Sequence, residues 1–236
     1  MTSNPVIKIC GLSTAPTLDA ALDAGADMVG FVFFEKSPRH LSLDQARALA
    51  QRARGRARIA VLTVDASDED LRAIVAAVAP DYLQLHGRET PARLADLKRI
   101  FELPLIKAIG VSSAGDLVAA SDYADTADRL LFDAKAPKDA RHPGGNGVAF
   151  DWRLLAGLDL HGPWLLSGGL DPDNVAQAIA ITGARGVDVS SGVESAPGVK
   201  DIGKIKAFIA EARAAFSRTA AGQTSARQEA QPGRVA

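Results

Sequence analysis

The chain predicts an α/β protein built as a single (β/α)8 TIM barrel, and three observations carry that expectation. Short runs rich in Val, Ile and Leu alternate with stretches of helical spacing from end to end. The alternation repeats eight times within about 216 residues, the size of a compact barrel. The runs are largely apolar rather than alternating, as in strands covered on both faces of a parallel sheet. An open doubly wound sheet shares the alternation but more often stops at about five or six strands.

The elements follow in order. PVIKIC at 5–10 is the first strand, closed by the turn residues Gly11 and Ser13, and TLDAALDAGAD is the helix after it, ending on Gly25. MVGFVF at 28–33 leads through the loop FEKSPRHLS to a helix capped by Ser42. RIAVLTV at 58–64 precedes SDEDLRAIVAAVAP, with Ser67 at the cap, acids in the first turn and Pro80 beyond the end. DYLQL at 81–85 precedes TPARLADLKRIF, where Pro91 suits the first helical position. PLIKA at 104–108 is followed by SSAGDLVAASDYA, and RLLFD at 129–133 by DWRLLAGL, a helix with Asp151 as N-cap. PWLLS at 163–167 precedes DPDNVAQAIAIT, and GVDVS at 186–190 precedes VKDIGKIKAFIAEARAAF. Residues 217–236 lack an apolar period, so 1–216 forms the predicted catalytic barrel and 217–236 a disordered, flexible tail.

Composition narrows the function. A formal net charge of -1, without a basic aromatic-interleaved face, predicts no nucleic-acid partner and no membrane partner. The single cysteine, Cys10, cannot close an internal disulfide, and MTSNPVIK lacks a signal-peptide pattern; a cytoplasmic location is expected. His40, His86, His142 and His161 lack ligand spacing, so no metal is predicted, and there is no dinucleotide fingerprint.

In a barrel, function belongs at the C-terminal strand ends. Cys10 ends the first strand and Asp133 the sixth. Ser167-Gly168-Gly169 follows the seventh, and Ser190-Ser191-Gly192 follows the eighth, opening a second short helix. Glycines between a strand and a helix start let backbone N–H groups face an anion, and the loops after strands 7 and 8 are the frequent phosphate site. A tight turn is the alternative for either loop alone. Two readings likewise stand for Cys10, a small buried hydrophobe or a base, and for Asp133, a cap or an acid. Lys8, two residues from Cys10, shares its face and would lower the thiol pKa. Arg39 would hold a carboxylate or simply be solvated, and His86 would line the site or complete a turn. Asp65 and Lys107 are site liners or members of internal ion pairs, and the long loop with Gly144, Gly145 and Gly147 is a lid or disordered.

The stretches KICGL, GFVFFEKSPRHLS, LQLHG, LLFDAK, GGNGVAFDW, LSGGLDPDNV and GVDVSSGVESAPGVKD, in this order from residue 6 to about 201, resemble the phosphoribosylanthranilate isomerase family of tryptophan biosynthesis. The resemblance implies Cys10 as general base, Asp133 as general acid, and Arg39 on the anthranilate carboxylate. It implies phosphate binding around Gly168, Gly169, Ser191 and Gly192, with Gly145 of the sixth loop nearby. His86 and Asp188 match positions near the site, and Lys8, in line with Cys10 and deeper in the barrel, is a further substrate-binding candidate. The implied partner is a small phosphorylated aminosugar, rearranged from aldose to ketose without metal or organic cofactor. A sister barrel of histidine biosynthesis would carry an aspartate where Cys10 stands, and a ligand-binding barrel without activity would lack the acid or the base. Either a monomer or a homodimer is compatible with the sequence.

Overall fold

Burying eight apolar runs on both faces requires a sheet without edges and helices around it, and the chain meets both needs. The computed structural model describes residues 4–135, 144, 149–158, 160 and 162–229, with residues 221–229 as backbone alone. Eight parallel strands close into a barrel in chain order: β1 Val6–Cys10, β2 Met28–Phe33, β3 Arg58–Thr63, β4 Tyr82–Leu85, β5 Leu105–Val111, β6 Arg129–Ala134, β7 Trp164–Leu166 and β8 Gly186–Val189. β1 pairs with β8 and sets Lys8 beside Asp188. The helices are α1 Ala15–Asp23, α2 Leu43–Ala53, α3 Asp68–Val78, α4 Pro91–Phe101, α5 Ala114–Ala120, α6 Val175–Thr182 and α7 Ile202–Glu229.

The main core lies between sheet and helices, with Ile7, Phe31, Val61, Phe132 and Phe208 all buried. A smaller apolar plug of Met28, Ala60, Ile106, Ala108, Leu131 and Leu165 fills part of the barrel. The predicted caps are present: Ser42 forms a capping box with Gln45, Ser67 accepts from the Asp70 amide, and Asp151 accepts from the Arg153 amide. No helix among the described residues is long and apolar enough to cross a membrane.

Three elements differ from expectation, the third being the 3-10 turn Ser191–Val193 at the site. DWRLLAGL forms one 3-10 turn, Trp152–Leu155, rather than a helix. Gly157, with φ +72°, ends the segment after that single turn. α7 continues through Glu229, so part of the predicted tail from 217 has helical backbone. Ala, Arg, Gln and Glu sustain a helix by propensity without an apolar stripe, and periodicity reports packing rather than helicity. Residues 230–236 of the predicted tail lie outside the described residues.

A short hairpin, β9 Glu194–Ala196 with β10 Val199–Lys200, stands between β8 and α7. It bears on the site below.

Candidate active site

Barrel closure decides which strand ends meet. β1 neighbours β8 and β6 neighbours β7, so Cys10 and Asp133 stand on either side of the loops that follow β7 and β8. The four ends surround a cavity with about 770 Å³ of empty space, its open mouth included. Of the residues predicted for a site, Cys10, Arg39, His86, Asp133, Asp188, Gly168, Gly169, Ser190 and Ser191 line it. Lys8 lies deeper on the same face and is fully buried. Gly192 does not line it, and Gly145 falls outside the described residues.

Glycine is required at both loops for steric reasons. Gly168 and Gly169 have φ of +84° and +67°, and a Cβ on Gly168 would fall 2.5 Å from the Ala134 amide nitrogen. A Cβ on Gly192 would overlap the Leu170 carbonyl oxygen, so the two loops pack backbone to backbone. Among the described residues, the amides of Gly168 and Gly169 donate to no protein acceptor. Ser191–Val193 is one 3-10 turn rather than the expected second helix.

Lys8 Nζ donates to Asp188 Oδ1 at 2.7 Å, and Asp188 Oδ2 is 3.5 Å from Ser167 Oγ. This corrects the expectation of a lowered thiol pKa. Burial pushes the Cys10 thiol above its ordinary value, and Lys8 offsets this only in part because Asp188, also nearby, raises it again. Burial pulls Lys8 down, yet the carboxylate of Asp188 and the thiol outweigh burial and hold the ammonium above its usual value.

Asp133 is buried. Its Oδ1 accepts from the Ala134 amide at 2.8 Å, and its Oδ2 is 3.3 Å from His86 Nε2. Gln84, fully buried on β4, places its side-chain nitrogen 3.4 Å from His86 Nδ1. His86 therefore faces the cavity rather than closing a turn. Gly144 packs over this pair: a Cβ there would come 2.7 Å from both Asp133 Oδ2 and His86 Nε2. Lys107 proves to be a buried ion-pair member, whereas Asp65 is exposed, lines no part of the cavity and faces Arg88 at the surface. Lys107 Nζ binds Glu89 at 2.7 Å and the Gly87 carbonyl at 2.7 Å, and Asp65 accepts from the Arg88 amide. Both thus brace the backbone around His86.

Arg39 is 4% exposed and gives two parallel hydrogen bonds to Glu194, at 2.7 and 2.8 Å. Room for its stem comes from Gly11, where a Cβ would fall 2.5 Å from Arg39 Cδ. Glu194 also accepts from Lys200. Burial opposes both charges; Arg39 and Lys200 nevertheless hold Glu194 below the usual carboxylate value, while burial keeps Lys200 below that of a free lysine. Sequence reasoning missed Gln84, Glu194 and Lys200. The spacing of a charged residue carries no record of its burial. The glutamate of GVESAPGVK, in a segment already resembling the family, was the one usable signal.

The closed barrel and the cavity at its C-terminal mouth define the class: a (β/α)8-barrel enzyme. The sequence profile of the N-(5'phosphoribosyl)anthranilate (PRA) isomerase family matches residues 7–211. The chain belongs to that family and is an isomerase. It is 62% identical over 208 residues to the N-(5'-phosphoribosyl)anthranilate isomerase of Rhodopseudomonas palustris (strain BisA53), covering 88% of this chain and 95% of the relative. The crystal structure of phosphoribosyl anthranilate isomerase from Thermotoga maritima superposes with a TM-score of 0.80 at 34% identity, over 89% of this chain and 99% of that one. A phosphoribosyl anthranilate isomerase solved with reduced 1-(o-carboxyphenylamino)-1-deoxyribulose 5-phosphate gives 0.76 at 32% identity, with coverage of 89% and 99%.

Proposed function

We propose that this isomerase of tryptophan biosynthesis converts N-(5-phosphoribosyl)anthranilate to 1-(2-carboxyphenylamino)-1-deoxyribulose 5-phosphate by an Amadori rearrangement. Asp133 is the acid and Cys10 the base. The observation that carries this reading is their placement, one on each side of the β7 and β8 loops and in one cavity.

The phosphate sits on the amides of Gly168 and Gly169 and the turn at Ser190-Ser191-Gly192, and Arg39 receives the anthranilate carboxylate. Two grips remote from the reacting carbons hold C1 and C2 between acid and base. Asp133, oriented by His86, protonates the ring oxygen as the C1–O bond breaks and the nitrogen lone pair forms C1=N. The Cys10 thiolate then removes the C2 proton; the electron pair forms C1=C2 and nitrogen recovers its own. The enolamine gains a proton at C1 and loses that of the C2 hydroxyl, leaving the ketone. Burial makes the thiolate scarce but strongly basic, and the cation formed at C1 favours it.

Steady-state turnover of freshly prepared phosphoribosylanthranilate, followed by its fluorescence, tests the reading. Cys10→Ser and Asp133→Asn should each lower kcat by about 10²–10⁴-fold, the usual contribution of a general acid or base, while phosphate still binds. Near-wild-type kcat in either variant would remove that residue from its role.

A further inference from the structure

Resting on the substrate reading above, we propose that Glu194 is a positioning residue that aims the Arg39 guanidinium at a ligand carboxylate, while Lys200, which also holds Glu194, separately braces the phosphate loop at Ser190. Neither Glu194 nor Lys200 lines the cavity, whereas Arg39 and Ser190 do. Glu194 Oε1 accepts from Arg39 Nε at 2.7 Å and from Lys200 Nζ at 2.8 Å. Its Oε2 accepts from Arg39 Nη2 at 2.8 Å and from the Gly198 amide at 3.1 Å. Lys200 Nζ also donates to the Ser190 carbonyl at 2.8 Å and lies 3.2 Å from its hydroxyl. One carboxylate thus joins the two ends of the cavity that must each meet an anion.

Side chains alone do not hold the arrangement. Gly198, at the turn of the β9–β10 hairpin, has φ of +82°, and a Cβ there would fall 2.7 Å from the Pro38 carbonyl oxygen. The hairpin therefore lies directly on the segment that carries Arg39. Lys204 Nζ donates to the Glu194 carbonyl at 2.8 Å and ties the hairpin to α7.

Geometry favours a ligand-directed role. Arg39, Lys200 and Glu194 are all buried, and Arg39 lines the cavity. A bidentate carboxylate fixes the plane of a guanidinium, so Glu194 on the Nε–Nη2 edge directs the Nη1–Nη2 edge. A planar donor pair set before binding discriminates for a second carboxylate without ordering cost at the moment of contact.

The test is a comparison of Glu194→Gln, Lys200→Met and Arg39→Lys with the wild type. KM and kcat for phosphoribosylanthranilate are measured, together with Kd for inorganic phosphate. Glu194→Gln should raise KM roughly tenfold, the effect of disturbing one charge-assisted contact, with kcat changed less than about threefold. Its phosphate Kd should stay within about twofold, whereas Lys200→Met should weaken phosphate as well. Glu194→Gln combined with Arg39→Lys should be no worse than Arg39→Lys alone, because both act on one grip. Glu194→Asp replaces the glutamine variant if that chain fails to fold. An unchanged KM in a folded Glu194 variant, or an equal loss of phosphate affinity there, overturns the proposal. If Arg39→Lys raises KM while Glu194→Gln does not, only the positioning role falls. Absence of wild-type turnover removes the substrate reading and this inference with it.

Discussion

Replacing Lys8 by methionine removes a charge from the barrel interior while keeping most of the side-chain volume. Lys8 is fully buried, and its Asp188 partner, 2.7 Å away, is 6% exposed at the side chain. The variant strands that carboxylate, leaving Ser167 Oγ at 3.5 Å as the nearest described side-chain donor. Removing one member of a buried ion pair costs about 3–5 kcal/mol, since the other charge stays desolvated. At roughly 2–4 °C of melting temperature per kcal/mol for a domain of this size, the melting temperature falls by about 6–20 °C. The double variant Lys8→Met/Asp188→Val strands no charge and should recover most of the stability, as apolar replacements of whole buried pairs commonly do. Urea unfolding followed by tryptophan fluorescence and far-ultraviolet circular dichroism measures both variants. A loss below about 1 kcal/mol in the single variant would refute the reasoning. So would a double variant as unstable as the single one, since stranded charge would then not be the cause.

Two further outcomes follow from the site. Burial opposes the thiolate, so the single thiol, Cys10, should ionise only above its ordinary value of 9.0 in a titration followed by thiolate ultraviolet absorbance; a midpoint well below that pH would refute the account of its environment. Gly11→Ala would place a Cβ 2.5 Å from Arg39 Cδ at φ +75°, costing about 1–2 kcal/mol in backbone strain and raising KM through a displaced Arg39; a wild-type KM and unfolding midpoint would contradict this account.

Much of the fold was legible because buried parallel strands leave an unmistakable trace. Each of the eight strands lies on its predicted run, though β5 extends to Val111 and β3 stops at Thr63. Caps were readable for the same local reason, since Ser42 and Ser67 act on amides three residues away. DWRLLAGL misled because eight residues of apolar spacing fit one 3-10 turn as well as a helix. At the site, the positions of Cys10 and Asp133 followed from the strand-end rule. The state of the Cys10 thiol did not follow, because burial and the charge of Asp188 entered only with the assembled barrel. Arg39 could be singled out as a carboxylate binder, but nothing local showed one edge of its guanidinium already on Glu194, 155 residues away.

Alternation of apolar runs with helical stretches, the side-chain period of two along a strand, and glycines after the seventh and eighth strands were properties of the sequence alone. They determined the barrel, put Lys8 on the face of Cys10, and drew attention to the two loops. Only the tertiary structure decided which charge answers which. Closing β1 against β8 brings Asp188 to Lys8 across 180 residues, so the lysine is shared between that carboxylate and the thiol and only partly offsets the burial of Cys10. Electrostatic pairing depends on distance and burial in three dimensions, and neither is written in the spacing of residues along the chain.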